Sequence, residues 1–287
     1  MIILQSLLIC LCILTLSVQS VFKKQFGQTG IKGDLTYSAL GTAFALLVFL
    51  ITSGKPVLSP EIIPYSLAFA AVYVGGTVTS VLALRWGSLA ITSLIMSYSL
   101  IIPTAYGLLF LNETAGVPQI LGIVILLVSL FLVKGRDAYS QTKGFSVKWL
   151  IAVSISFVCN GLCSVIQKEQ QRLFNGIYNG GFMILALAVA AAVSFAAGFL
   201  AERQSWKQVF RRGFPTAALC GLSNGVTNYL VLVIVASVSA SLFFPVLSAG
   251  QLIFTFLISV FFYRERFSPK QLVGLVLGIA ALVLLNI

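Results

Sequence analysis

Apolar stretches of membrane-crossing length recur about ten times along this chain, separated by short polar gaps. Their approximate bounds are 2–22, 35–52, 62–84, 88–110, 117–134, 148–167, 177–200, 213–235, 239–263 and 269–286. A spanning helix needs roughly 20 predominantly apolar residues. The runs 62–110 and 213–263 are each too long for one crossing, so the first must break near Arg85-Trp86-Gly87 and the second around Ser237-Val238-Ser239. The pattern predicts an all-α polytopic membrane protein with ten transmembrane helices. Hydrophobic residues make up 59% of the 287, too many for a soluble domain of this size to hide. No polar stretch is long enough for a soluble domain. The first run has no basic residue before Lys23 and is long for a signal peptide, so it reads as a retained helix.

The polar positions sharpen this picture. The seven acidic residues, Asp34, Glu61, Glu113, Asp137, Glu169, Glu202 and Glu265, all fall at helix ends or in the gaps. No deep acid is left as the usual handle for proton coupling, and an end-of-helix carboxylate is the remaining route. Fifteen of the eighteen Lys and Arg fall in the gaps after helices 1, 3, 5, 7 and 9; the others are Lys55, Lys168 and Arg172. Positive-inside counting puts the odd gaps in the cytoplasm and both termini outside, in a multi-pass protein of the plasma membrane. The net charge of +11 is scattered over these gaps, not gathered on a face, which argues against nucleic acid as a partner. Anionic lipid accounts for it instead. The five cysteines lie inside apolar stretches and the chain has no His, so neither a metal site nor a cofactor is expected. An intramembrane enzyme would want a nucleophile–base pair or metal ligands, and the sequence offers neither.

The chain also repeats itself. Glu113, Gln119 and Gly122 recur as Glu265, Gln271 and Gly274 at a single offset of 152 residues. Ser20-Val21 with Lys24 recurs as Ser164-Val165 with Lys168 at an offset of 144. These matches predict two five-helix halves, 1–138 and 139–287. Since each half has an odd number of spans, the second must enter the membrane inverted. Inverted repeats are a common route to alternating access.

Several of these residues resemble the drug/metabolite transporter superfamily, in particular proteins with two EamA-type halves. They are Pro103, Leu109-Phe110-Leu111-Asn112-Glu113 and Gln119-x2-Gly122 in the first half. In the second they are Ser241 to Pro245, Phe261-Phe262-Tyr263-Arg264-Glu265-Arg266 and Gln271-x2-Gly274. The resemblance implies a ten-helix carrier of two inverted halves around a central cavity. Such members export amino acids or metabolites, import sugars or move drugs, and their termini are usually drawn in the cytoplasm, against the charge count here.

Polar side chains inside the spans are the candidates for a solute cavity, because each costs desolvation unless paired. They are Gln19, Tyr73, Ser97, Tyr98, Asn160, Tyr178, Asn224, Asn228, Ser248 and Gln251. They are neutral, which suits neutral or zwitterionic small organic solutes, although such groups also tie helices together. Lys24, Pro103, Glu113, Gln119, Gly122, Lys168, Pro245, Glu265, Gln271 and Gly274 are structural or gating candidates. Glu113 and Glu265 are expected to accept hydrogen bonds from first-turn amides of a helix start. Lys24 and Lys168 are expected to snorkel toward headgroups. Pro103 and Pro245 permit kinks. Gly274-x3-Gly278 and Gly221-x3-Gly225 permit close helix approach, and the first leaves room for a homodimer. The reading that follows is a secondary carrier, with amino-acid or related metabolite export ahead of sugar uptake and multidrug efflux. A structural or receptor protein without flux is the non-carrier alternative.

Overall fold

The computed structural model describes residues 2–54, 56–110, 116–133, 146–235 and 240–285. Among these residues the chain is helical and contains no strand. Glu113, Asn112 and the gap around Asp137 lie outside the described residues, as do Ser237 and Val238.

Helix α1 spans Ile2–Gln28 and so runs past the predicted end at residue 22, carrying Lys23 and Lys24 inside the helix. Helix α2 (Asp34–Thr52) begins beneath the carboxylate of Glu202. That group accepts from the amides of Leu35 and Thr36, both at 2.9 Å, and from the Thr36 hydroxyl at 2.8 Å. An acid at the orphan amides of a helix start serves as its cap. A 3₁₀ turn, Pro60–Ile62, leads into α3 (Ile63–Trp86). The predicted fourth span divides into α4 (Leu89–Ser97), a 3₁₀ turn at Tyr98–Leu100, and α5 (Ile101–Phe110). Pro103 explains the break, because it lacks the N–H that the carbonyl of Ser99 would need and its ring crowds that carbonyl.

Helix α6 is Val117–Val133 and α7 is Val147–Phe174, capped by Ser146, whose hydroxyl accepts from the Trp149 amide at 3.1 Å. Helix α7 continues beyond the predicted residue 167 and stops where Asn175 (φ 49°) and Gly176 (φ 75°) turn left-handed. Then come α8 (Asn179–Ala201), the short α9 (Trp206–Gln208), a π turn at Val209–Gly213, α10 (Phe214–Val235), α11 (Ala240–Phe261) and α12 (Pro269–Leu285). Pro245 lies within α11, and the helix continues through it.

Among the described residues, six helical stretches are long and apolar enough to cross a membrane: Leu7–Gln28, Asp34–Thr52, Pro60–Trp86, Leu89–Gly107, Val147–Phe174 and Asn179–Ala201. Gly250–Phe261 and Pro269–Ala281 are shorter apolar helices. Large apolar side chains such as Ile51, Leu200 and Val276 point outward, where lipid rather than water makes them favourable.

Helix α2 packs between α8 and α10, while α8 also lies against α3. Helix α1 runs along α10 and touches α11; α7 runs along α3 and touches α4 and α5. Helix α6 lies along α12. The approach of α2 and α10 is set by glycine: a Cβ on Gly221 would meet the carbonyl of Gly41, and one on Gly225 would press on Val48 at 2.6 Å.

Candidate functional site

Among the described residues, α1, α2, α3, α4, α7, α10 and α11 surround a cavity of about 340 Å³. Helical spacing places its lining. Leu16, Gln19, Ser20 and Lys23 recur along α1 at intervals of three or four residues and share one face. Tyr73, Gly76 and Thr77 do the same on α3, and Leu247 and Gln251 on α11. Gly41, Gly76 and Gly221 also line the space, and each faces a neighbouring helix where a side chain would stand.

Six of the ten predicted cavity residues line this space: Gln19, Tyr73, Ser97, Asn160, Asn224 and Gln251. A polar chain joins three of them. The Asn224 amide donates to Gln19 Oε1 at 3.0 Å, Gln19 Nε2 donates to the Thr227 hydroxyl at 3.0 Å, and Tyr73 donates to Asn224 Oδ1 at 3.3 Å. These bonds satisfy the amides and also tie α1, α3 and α10 together. Asn228 stands one turn behind Asn224 and donates to its carbonyl at 2.8 Å, outside the lining.

Tyr98 is a correction to the predicted set. It is fully buried in the cluster between α4, α6 and α12 and hydrogen-bonds Ser129. Ser129 gives its own proton to the carbonyl of Gly274 at 2.7 Å, so Tyr98 is the donor of that pair. Tyr98 sits at the break in the helix, where its ring turns into α12 and away from the cavity. Tyr178 also lies elsewhere, edge-on to Phe174 at 5.5 Å. Ser248 and Pro245 belong to α11, and Gln119 to α6. Gly122 is buried in α6.

Residues the sequence pattern did not single out complete the lining, among them Lys23, Tyr37, Ser38, Thr42, Thr77 and Ser93. The Ser38 and Ser93 hydroxyls are buried and have no protein partner among the described residues. Lys23 donates one N–H to Ser80 at 3.0 Å. Its sequence signal was its spacing from Gln19, hidden by ending the helix at residue 22.

At the Lys23 end of the cavity, α1, α4 and α11 are bound together by Glu265. Arg264, at φ 50°, ends α11 in a left-handed turn, and the Glu265 amide then donates back to Ser259 O at 3.0 Å. This turn aims the carboxylate at the start of α4. There it accepts from the Ser88 hydroxyl at 2.7 Å and the Leu89 amide at 3.1 Å, and from Ser259 and Lys24. The expected first-turn amide is present, but it belongs to α4 and not to the helix that follows Glu265 in the chain. The Lys24 and Glu265 side chains are each only 7% exposed, which corrects the snorkelling expectation: Lys24 points into the protein because its counter-ion is there. Lys24 also donates to Gly87 O at 3.2 Å and lies 4.8 Å from the Tyr263 ring centre. Burial, reinforced by the Glu265 carboxylate, pushes the Tyr263 phenol above its ordinary range. Beside this cluster Arg85 binds Asp34 at 2.6 Å and the carbonyl of Ile31 at 2.7 Å.

Gln271 does something narrower. Its side chain accepts from the Ser268 amide at 3.0 Å, and its amide donates to the Ser268 hydroxyl at 3.3 Å. That reciprocal pair is a capping box for α12, legible in Ser268-x2-Gln271. Across the molecule, Glu169 binds Arg172 at 2.9 Å and accepts from Tyr106 at 2.9 Å, with the Arg172 side chain 55% exposed. Lys168 is the neighbour of Glu169 on α7 and is half-buried.

A bundle of apolar helices with lipid-facing side chains and a polar cavity among them defines a multi-pass membrane protein. Residues 147–287 match the model of the EamA-like transporter family. The chain belongs to that family, within the drug/metabolite transporter superfamily, and the family is one of membrane transporters of small solutes. No curated protein matches the sequence. Among solved structures, one described only as the crystal structure of a protein superposes with a TM-score of 0.62 at 15% identity. The superposition covers 98% of this chain and 95% of the other, a likeness of fold alone.

Proposed function

We propose that the protein is a secondary carrier that moves a small organic solute through the central cavity by alternating access, as two inverted five-helix repeats, 1–138 and 139–287, with ten crossings. The observation that carries this reading is the position of the cavity, at the junction of the halves and lined from both. The helix contacts support it. Exchanging the halves turns α1 against α10 into α7 against α3, and turns α2 against α10 into α8 against α3. A duplicated, inverted unit generates such pairs.

The two ends of the cavity differ in this structure. At the end of the odd-numbered gaps, the ion pairs Lys24–Glu265 and Arg85–Asp34, with side chains no more than 14% exposed, hold different helices together. At the other end the described ion pair, Glu169–Arg172, joins residues of one helix, and its Arg172 side chain is 55% exposed. We read this as the state closed on the odd-gap side. With those gaps in the cytoplasm of a plasma-membrane protein and both termini outside, that state is outward-facing. Amino acids and related metabolites, moved outward, are the first solutes to test, because amides and hydroxyls dominate the lining.

The test is transport kinetics of cavity variants. Asn224→Ala and Gln251→Ala are expected to shift the apparent affinity several-fold while the protein stays monodisperse in detergent. Unchanged kinetics in both, from folded protein, would remove the cavity from the transport path.

A further inference from the structure

Lys23 is the one charged side chain in the cavity lining among the described residues. Its surroundings set it apart from its neighbour. Lys24, rotated by about 100° around the helix, is neutralised by Glu265. Lys23 has no carboxylate partner among the described residues, and its one protein bond is to the Ser80 hydroxyl. An ammonium has three protons to donate, so two remain for the cavity. A charge held away from water without a counter-ion is costly, and the low-dielectric walls focus its field into the space in front of it. The walls also present the Ser38 and Ser93 hydroxyls, from α2 and α4, buried and without protein partners among the described residues. Neither lining nor partners include an acid that would receive an organic cation.

We propose that Lys23 is the anion-binding group of the solute site, and that the solute carries a carboxylate which docks on it, with the Ser38 and Ser93 hydroxyls available to donate beside it. This rests on the carrier reading and narrows it. The carboxylate replaces the missing counter-ion, and the neutral amides of Gln19, Asn224 and Gln251 face the remainder of the molecule. An amino acid qualifies through its carboxylate, its ammonium finding only neutral acceptors. A lipophilic cation does not qualify, which sets drug efflux aside. A cavity of about 340 Å³ suits a small solute, since ligand pockets run from about 300 to 1,000 Å³.

The experiment compares matched pairs of like shape in which a neutral carboxamide replaces the carboxylate: lactate with lactamide, benzoate with benzamide, and alanine with alaninamide. Each is measured for saturable flux into proteoliposomes and for thermal stabilisation of the purified full chain, alongside hexoses. The variants are Lys23→Gln and Lys23→Arg, each checked for a folded, monodisperse protein. Folding should survive, because removing a half-buried charge that has no carboxylate partner among the described residues breaks only the bond to Ser80. Carboxylates should stabilise the protein and be carried, and their amides should not. Lys23→Gln should weaken carboxylate affinity at least about tenfold, the loss of one charge-assisted hydrogen bond, and Lys23→Arg should restore most of it. Three results would overturn the proposal: equal responses to acid and amide, no response to any carboxylate, or unchanged carboxylate affinity in Lys23→Gln. Hexose flux untouched by Lys23→Gln would sink this assignment and leave the carrier reading standing. Absence of flux for every class would sink both.

Discussion

Glu265 takes hydrogen bonds from Lys24, Ser88, Leu89 and Ser259, and these four residues belong to α1, the start of α4, and α11. Its value to the fold follows from what its loss would leave behind. Removing one partner of a buried ion pair typically costs about 3–5 kcal/mol, because the other charge stays buried alone. Glu265→Ala should therefore lower the melting temperature in detergent markedly. The double variant Lys24→Met with Glu265→Leu should recover part of that loss, since it leaves no orphan charge. A double variant less stable than Glu265→Ala would mean that the pair is worth more than its desolvation cost. The importance of Glu265 was legible in the sequence, through its recurrence with Glu113. Its partner was not, because Lys24 sits 241 residues away and looks like any lysine at a helix end. Lys23 was harder still. It differs from Lys24 only by its angle on α1, and that angle has no meaning until the helix is known to continue to Gln28.

At the scale of elements, most spans were legible because apolar length is the bilayer's own requirement. The departures come where protein, not lipid, receives the helix. Helix α1 outruns its apolar run because Lys23 and Lys24 find acceptors inside the bundle. The tail of α7 is polar, yet it stays helical until Asn175 and Gly176 turn it. Pro103 marked the break before α5, but the pattern did not tell that Tyr98, beside that break, would be sent into α12. Gly221 and Gly225 form a weak pattern in the sequence, and the structure gives it a cause: α2 and α10 touch there, backbone to backbone at Gly221 and backbone to side chain at Gly225. Gly221→Leu should push these helices apart. The expected outcome is loss of monodisperse protein or a melting temperature reduced by several degrees, whereas Gly30→Ala, with open space around the site, tests only backbone strain at φ 73°. A fully stable Gly221→Leu protein would show that the α2–α10 contact is looser than described.

For the whole molecule, the sequence reading reached the all-helical, multi-pass membrane class and the family, and six of its cavity residues converge on one space. It missed the charge of that space. Counting polar residues inside spans favours amides and hydroxyls, and it discards lysines at span ends as headgroup contacts. Helix packing then brings one such lysine to the cavity wall, a consequence of tertiary structure that no local pattern records. The central claim is that this cavity carries solute between two sides of a membrane. The most direct test is counterflow: purified protein in proteoliposomes preloaded with unlabelled solute, followed for uptake of the labelled form across amino acids, organic acids, hexoses and lipophilic cations. Saturable, accelerated exchange is expected for one polar class, strongest for carboxylates. Protein shown to be folded that exchanges none of them would contradict it.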